Sequence, residues 1–194
     1  MNTLFPIEPV LPAGFSYTPE FISAREEKVL LEFISGLQLH TFLFQGYESK
    51  RRVVSFGYDW SFERRTLSKG KEIPVEFNSI LQKVAAFINL PVNDIGELLV
   101  TEYPVGSMIN WHRDAPPFEL IAGISLQSDC KFRFRPYARS NQGQKSIITI
   151  PVKRRSLYVM NGESRSNWEH SISPVKEVRY SITLRTLRSN ATIA

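Results

Sequence analysis

An α+β fold is what this sequence predicts: two N-terminal helices set against an antiparallel double sheet of jelly-roll type, a double-stranded β-helix. Three observations predict it. Capped, amphipathic stretches occur only in the first half of the chain. From residue 95 onward, short runs rich in β-branched or aromatic residues follow one another, separated by Pro, Gly, Asn and Ser. No repeat or composition break divides the 194 residues. One domain over 1–194 is therefore expected, long enough to bury a substantial core.

The elements follow in order. Residues 1–20 carry four prolines and read as an extended arm. "SAREEKVLLEFISGL" has the marks of a helix: Ser23 and Glu26 make a capping box, apolar residues recur at helical spacing, and Gly36 closes it. A second helix is expected in "PVEFNSILQKVAAFINL" (74–90), with Pro74 in its first turn. Between them, "ESKRRVVSFGYDWSFERRTLSKGKE" is aromatic and basic and lacks a clean period. The strands are then expected in "GELLVTEY", "SMINWHRD", "LIAGISLQS", "CKFRFRP", "SIITIPV", "SLYVMNG" and "VRYSITLRTL".

Composition narrows the class. Hydrophobic residues at 42% and charged residues at 22% describe a soluble globular chain. Apolar runs fall far short of a membrane span, and "MNTLFPIEPVLPAGF" lacks a basic leader and a sustained apolar core. The single cysteine, Cys130, excludes an intramolecular disulfide and suits a reducing, cytoplasmic setting. A net charge of +5 and a pI of about 9.4 favour a polyanionic partner, nucleic acid before anionic membrane. Nothing in the sequence speaks to the oligomeric state.

The chemistry begins in "INWHRDAPP". On a strand, His112 and Asp114 would share a face, which makes them half of a metal site or an ordinary polar strand end. His170, in "NWEHSISP", adds a second imidazole. Two histidines and one carboxylate with open positions form the facial triad of non-haem iron(II) oxygenases; a catalytic zinc site is the competing metal reading. His40 follows the first helix and reads as a surface or packing residue. An oxygenase of this kind needs a chelating co-substrate, usually a 2-oxo acid, and cations to anchor it. "RYSITLR" supplies them, since Arg179, Ser181, Thr183 and Arg185 fall on one face of a strand while Tyr180, Ile182 and Leu184 fall on the other. Such a row is expensive to bury unless an anion lies there. The bland alternative is a polar row facing solvent.

The series His112-x-Asp114, His170, Arg179-x-Ser181-x-Thr183-x-Arg185 resembles the AlkB family of iron(II)- and 2-oxoglutarate-dependent dioxygenases. "TEYPVGSMINWHRD", "ISLQ" and "NGESR" resemble further family segments, and the likeness covers about residues 95–188. It implies that His112, Asp114 and His170 bind Fe(II). It also implies that Thr101, Tyr103, Arg179, Ser181, Thr183 and Arg185 form the 2-oxoglutarate site, with Arg179 on the distal carboxylate and Arg185 nearer the iron-chelating end. Thr101 and Ser181 stand where the family has asparagines. Pro116 stands where the best-known repair enzymes place an acidic residue against the base.

The activity implied by the resemblance is oxidative demethylation of alkylated nucleobases in DNA or RNA. O2 and 2-oxoglutarate are consumed, and formaldehyde, succinate and CO2 are released. Modification of RNA or tRNA, hydroxylation of a protein, and a jelly roll that binds nucleic acid without turnover remain as alternatives. In this family the segment at 45–72 is expected to be a nucleotide-recognition lid. There Arg51, Arg52, Arg64 and Arg65 would meet phosphates, and Phe56, Tyr58 and Trp60 offer rings for a flipped base, although one or two of these rings are expected in the core. In "CKFRFRPYAR", Lys131, Arg133 and Arg135 share one strand face. They would track a phosphate backbone or else guard a sheet edge.

Overall fold

The computed structural model describes residues 10–44 and 47–193. Residues 1–9 of the expected arm, and residues 45 and 46 of the expected lid, lie outside that range. The chain runs through β1 (Phe15–Thr18), α1 (Ala24–Ser35), β2 (His40–Phe44), β3 (Tyr47–Ser61), β4 (Thr66–Lys69), α2 (Asn78–Phe87) and β5 (Ile95–Tyr103). It continues through β6 (Ile109–His112), β7 (Phe118–Leu126), β8 (Cys130–Pro136), β9 (Ile148–Val152), β10 (Leu157–Met160), α3 (Gly162–Ser166), β11 (Trp168–Ile172) and β12 (Arg179–Leu187).

From β5 onward the strands divide between two antiparallel sheets, which makes the jelly roll. The larger sheet has the order β1-β10-β7-β12-β5-β3-β2, with β4 paired to β3, and the smaller has the order β6-β11-β8-β9. One strand of this set, β11, carries His170 in "WEHSI", a run too polar to stand out by composition. The expected strand through "SMINWHRD" is shorter than its sequence suggested: β6 ends at His112, so Asp114 lies in the loop beyond it.

Both faces of the larger sheet are buried, and the alternation along β12 shows how. Ile182 and Leu184 turn outward beneath the helices, in a core with Ile34 and Leu30 of α1 and Ile80, Leu81 and Val84 of α2. Burying an aliphatic side chain this fully contributes about 1.5–3 kcal/mol relative to exposure. The polar row from Arg179 to Arg185 turns inward, between the sheets, beside a second core built on Phe132, Phe134, Ile150 and Phe118. It therefore does not face solvent.

The helices form for the reasons the sequence suggested, with one shift. Ser23 caps α1 by accepting from the Glu26 amide (3.2 Å), while Glu26 Oε2 accepts from the Ser23 amide (2.7 Å). Glu26 also accepts from Lys83 on α2 at 2.8 Å, tying the two helices together. The second helix starts later than expected: Val75–Phe77 make a 3-10 turn before α2 begins at Asn78. Buried Glu27 clamps α1 to the jelly roll through Arg154 (2.7 Å) and the Gln127 amide (2.8 Å).

The aperiodic stretch 48–72 is mainly strand. Its β3 pairs with β5 and bends at Gly57, whose φ of +84° is open to glycine and whose missing Cβ would sit 2.2 Å from the Gly96 carbonyl oxygen. The bend breaks the alternation of the rings. Phe56 faces the helices, whereas Tyr58 and Trp60 pack toward the core between the sheets.

The capping box yields a prediction. Hydrogen bonds from Lys83 and the Ser23 amide hold the Glu26 carboxyl at about 2. Because the folded-state value is depressed, the stabilisation is present while the carboxylate is ionised and is lost as pH falls from 4.5 towards 2. Glu26→Gln is expected to lower stability in urea titrations by about 1 kcal/mol at neutral pH, and the gap should close on acidification through that window.

Candidate metal centre

Strand pairing brings the two imidazoles together. β6 and β11 are antiparallel neighbours in which His112 and His170 are register partners, with ring centroids 4.2 Å apart. Asp114 reaches the same place from the loop after β6. A single nitrogen fixes that loop: Nη2 of buried Arg165 donates to the carbonyls of Asp114 (3.0 Å), Ala115 (2.7 Å) and Phe118 (3.0 Å). One ligand atom from each of His112, Asp114 and His170 lies within 4.8 Å of the others.

The state of each group suits a divalent cation. His112 Nδ1 lies 2.8 Å from the Asn110 carbonyl. A carbonyl only accepts, so Nδ1 carries the proton and Nε2 keeps its lone pair. His170 stacks on Phe132 with ring centroids 5.3 Å apart. Burial, aided by His112, pushes its pKa down to about 3. Burial also lowers His112. Burial alone would raise Asp114, but the Arg185 charge and its other cationic neighbours outweigh that and hold the carboxyl well below its ordinary value.

Asp114 Oδ2 is buried without a hydrogen-bond partner, and neutral His170 Nε2 lies 3.4 Å from it. With His170 neutral this contact is not an ion pair. An orphaned carboxylate oxygen facing imidazole nitrogens at this spacing is the donor set that iron(II) takes as a facial triad, so the residues fit the ion.

Buried cationic and hydroxyl groups line the inner face of β12 and β5. Arg179 is fully buried, and its Nε donates to Ser125 Oγ at 3.0 Å, yet Nη1 and Nη2 have no hydrogen-bond partner among the described residues. The Tyr103 ring centre lies 4.8 Å from its Cζ. A buried guanidinium with two idle amino groups is costly unless an anion completes it. Thr101 and Ser181, register partners on β5 and β12, are buried on the same inner face, and Thr183 lies two residues further along.

Arg185 is differently employed. Its Nε and Nη2 donate to Asp114 Oδ1 (3.1 and 2.8 Å), and its Nη1 donates to Glu97. It holds the Asp114 carboxylate in place beside the two histidines. Glu97, pushed up by burial, also accepts from Ser55 at 3.0 Å.

The residues read as substrate contacts are dispersed. Arg51 is directed toward the pocket, where its charge acts on Tyr103, Arg185, Asp114 and His112. Arg52 points the opposite way and pairs with Glu102 at 2.6 Å. Tyr58 and Trp60 are half-buried beyond the Gly57 bend. Arg133 is on the outer face of the smaller sheet, since the alternating Phe132 and Phe134 are buried.

Sequence reasoning missed Glu97, Ser125, Tyr158 and Arg165. Tyr158 had a signal in Gly123: a Cβ there would meet the Tyr158 ring at 2.1 Å, and a glycine inside a strand marks such close approaches. Arg165 closes the segment "NGESR", whose resemblance to the family gives it no role of its own until the loop after β6 is placed over it.

The family model for the 2OG-Fe(II) oxygenase superfamily matches residues 15–193. Mouse tRNA (carboxymethyluridine(34)-5-O)-methyltransferase ALKBH8 is 33% identical over 86% of this chain, which corresponds to 25% of that protein. An Arabidopsis alkylated DNA repair protein ALKBH8 homolog is 28% identical, covering 91% of this chain and 59% of its own. Bovine RNA demethylase ALKBH5 is 29% identical over 58% of this chain and 30% of its own. The chain thus spans a quarter to somewhat over half the length of these relatives. The solved structure of OsALKBH1 shares the fold with a TM-score of 0.69 at 16% identity, covering 93% of this chain and all of that one.

A binding experiment checks the metal centre directly. Under anaerobic conditions Fe(II), or Mn(II) as an inert substitute, should raise the Tm of the wild-type protein as saturation proceeds, by the linkage of binding to folding. Asp114→Asn should abolish most of that rise; an equal rise in the variant would remove Asp114 from the ligand set.

Proposed function

The chain belongs to the 2OG-Fe(II) oxygenase superfamily as an AlkB-like member, and on that premise we propose that it oxidatively demethylates alkylated bases of nucleic acid, with RNA as the first substrate to test. His112, Asp114 and His170 would hold the iron, which with O2 and 2-oxoglutarate would supply oxidation of a substrate C–H bond, one oxygen atom going to that carbon and the other into the succinate formed with CO2.

The protein's own residues do the rest. Arg179, with Ser125 and Tyr103 beside it, binds one carboxylate of the co-substrate by charge-assisted hydrogen bonds. Arg185 and Arg165 keep Asp114 facing the histidines. The Phe132 and Phe118 side of the core keeps water away from the co-substrate. Placing the target carbon against this fixed centre is a matter of positioning, which is where such catalysts gain most of their rate.

The observation that carries the reading is that, among the described residues, fully buried Arg179 has no hydrogen-bond partner at Nη1 or Nη2 and buried Asp114 has none at Oδ2. Asp114 is otherwise held through Oδ1 and Arg179 through Nε, and a divalent cation with a bound dicarboxylate satisfies the atoms that remain. Nucleic acid as the substrate is supported by the net charge of +5 and by the RNA, tRNA and DNA named for the relatives. A second reading, hydroxylation of a tRNA base without loss of carbon, is favoured by the tRNA-directed relative at 33% identity and by Pro116, which removes an acidic contact from beside the pocket.

Mass spectrometry of methylated RNA and DNA oligonucleotides incubated with enzyme, iron and 2-oxoglutarate tests both readings. Loss of one methyl group with matching succinate supports demethylation, whereas gain of one oxygen supports the second. No succinate from any substrate would overturn the assignment. Arg179→Met should raise the KM for 2-oxoglutarate on the order of a hundredfold, as expected from losing two charged hydrogen bonds. Oligonucleotide affinity should be left within twofold or so.

A further inference from the structure

The outer face of the smaller sheet carries cations that the pocket does not use. Lys131, Arg133 and Arg135 alternate along β8 with buried Phe132 and Phe134. Charges on a strand often guard a sheet edge against pairing with another chain. β8 is not an edge: it is bonded to β11 on one side and β9 on the other. Among the described residues an acid pairs with the row only at Arg135. Lys131 is opposite Pro151, Arg133 lies between Ser171 and Thr149, and Arg135 faces Glu169, with Nε to Oε2 at 2.6 Å.

Arg133 and Arg135 reach across β11 to Trp111 on β6, their Cζ atoms 4.9 and 4.7 Å from its ring centre. The reach covers two strand spacings, about 10 Å. Each guanidinium is also fixed through Nε, Arg133 to Ser171 Oγ at 3.0 Å and Arg135 to Glu169. On the β6 side Arg113 continues the series. Its Cζ is 3.6 Å from the centre of the exposed Tyr137 ring, and its Nη1 donates to the Ser166 carbonyl at 2.9 Å. A guanidinium held at Nε and stacked on a ring has lost most of its rotamer freedom before any ligand arrives, so binding costs it little entropy. The amino edge left over matches the geometry of phosphate oxygens.

We propose that this face is a track for the sugar–phosphate backbone of single-stranded nucleic acid, with Arg113, Lys131, Arg133 and Arg135 holding phosphates outside the catalytic pocket. The inference rests on the reading that the substrate is a nucleic acid, and it adds where the nucleotides flanking the target run. The route is short. Trp111 and His112 are consecutive on β6, one on the outer face and the other in the pocket, and β6 is the free edge of its sheet. A strand that leaves the pocket over that edge meets Arg113 and then the Trp111 cluster. Because the aromatic rings already carry guanidinium groups, the track recognises backbone charge and is indifferent to base sequence.

Fluorescence anisotropy over a salt series, with an unmodified RNA of about twenty nucleotides, tests the track; each phosphate contact on a single strand contributes about 0.7 to the slope of log affinity against log salt. The double substitution Lys131→Gln, Arg133→Gln should lower that slope by about 1.4 and weaken binding on the order of tenfold. Arg133→Lys should keep the slope, as a role in charge requires. Arg113→Gln provides an independent loss of about 0.7 should the double variant melt early. A methylated trinucleotide, too short to leave the pocket, should bind the double variant and the wild type alike.

An unchanged slope with intact oligonucleotide binding overturns the track and leaves the nucleic-acid reading standing. A wild-type protein that binds no oligonucleotide overturns both. Binding to phosphatidylserine vesicles in place of oligonucleotides also overturns the track.

Discussion

The bridge of Arg185 between Asp114 and Glu97 is the interaction on which the rest of the site depends. It joins three separate pieces of chain: β12, the loop after β6, and β5. A carboxylate buried this deeply would otherwise take up a proton and cease to be a useful ligand. The guanidinium keeps it charged, and the Arg165 nitrogen beneath the same loop fixes its backbone. The two histidines need no such support, because strand pairing already sets them side by side.

The division of labour on β12 follows from burying both faces of one sheet. An ordinary buried strand is apolar throughout. Here the helix side is, with Ile182 and Leu184, while the inner side carries two arginines and two hydroxyls. The helices therefore supply stability to a strand whose other face is given over to chemistry. Among the described residues, the charged side chains left with an unpaired buried atom are Asp114 at Oδ2, Arg179 at both Nη and Arg165 at Nε; the other unpaired atoms are the hydroxyls of Ser107 and Ser128.

Much of this was legible in the sequence because it follows local rules. The Ser23–Glu26 box, the period of two in "RYSITLR" and the turn-separated strands each state their structure within a few residues. His112, Asp114 and His170 were found because the chain has three histidines and one could be set aside. What stayed hidden depends on contacts far apart in the chain. Glu97 reads as an ordinary strand glutamate until Arg185 is placed against it. A period of two would put Tyr58 and Trp60 on the face of Phe56, but the strand turns at Gly57. Glu169 and Ser171 dilute the apolar residues of β11, so composition alone does not mark it as a strand; both side chains accept from the arginines of β8.

Tyr158, lying over Gly123, has a further consequence. Burial raises its hydroxyl above the ordinary tyrosine range, and the neighbouring Arg179 and Arg185 are likewise held in their charged forms. Tyr158, Arg179 and Arg185 therefore neither gain nor lose a proton near neutrality. If Arg179 anchors a dicarboxylate as proposed, the charge it offers is constant across that range, and an optimum in turnover there would originate elsewhere.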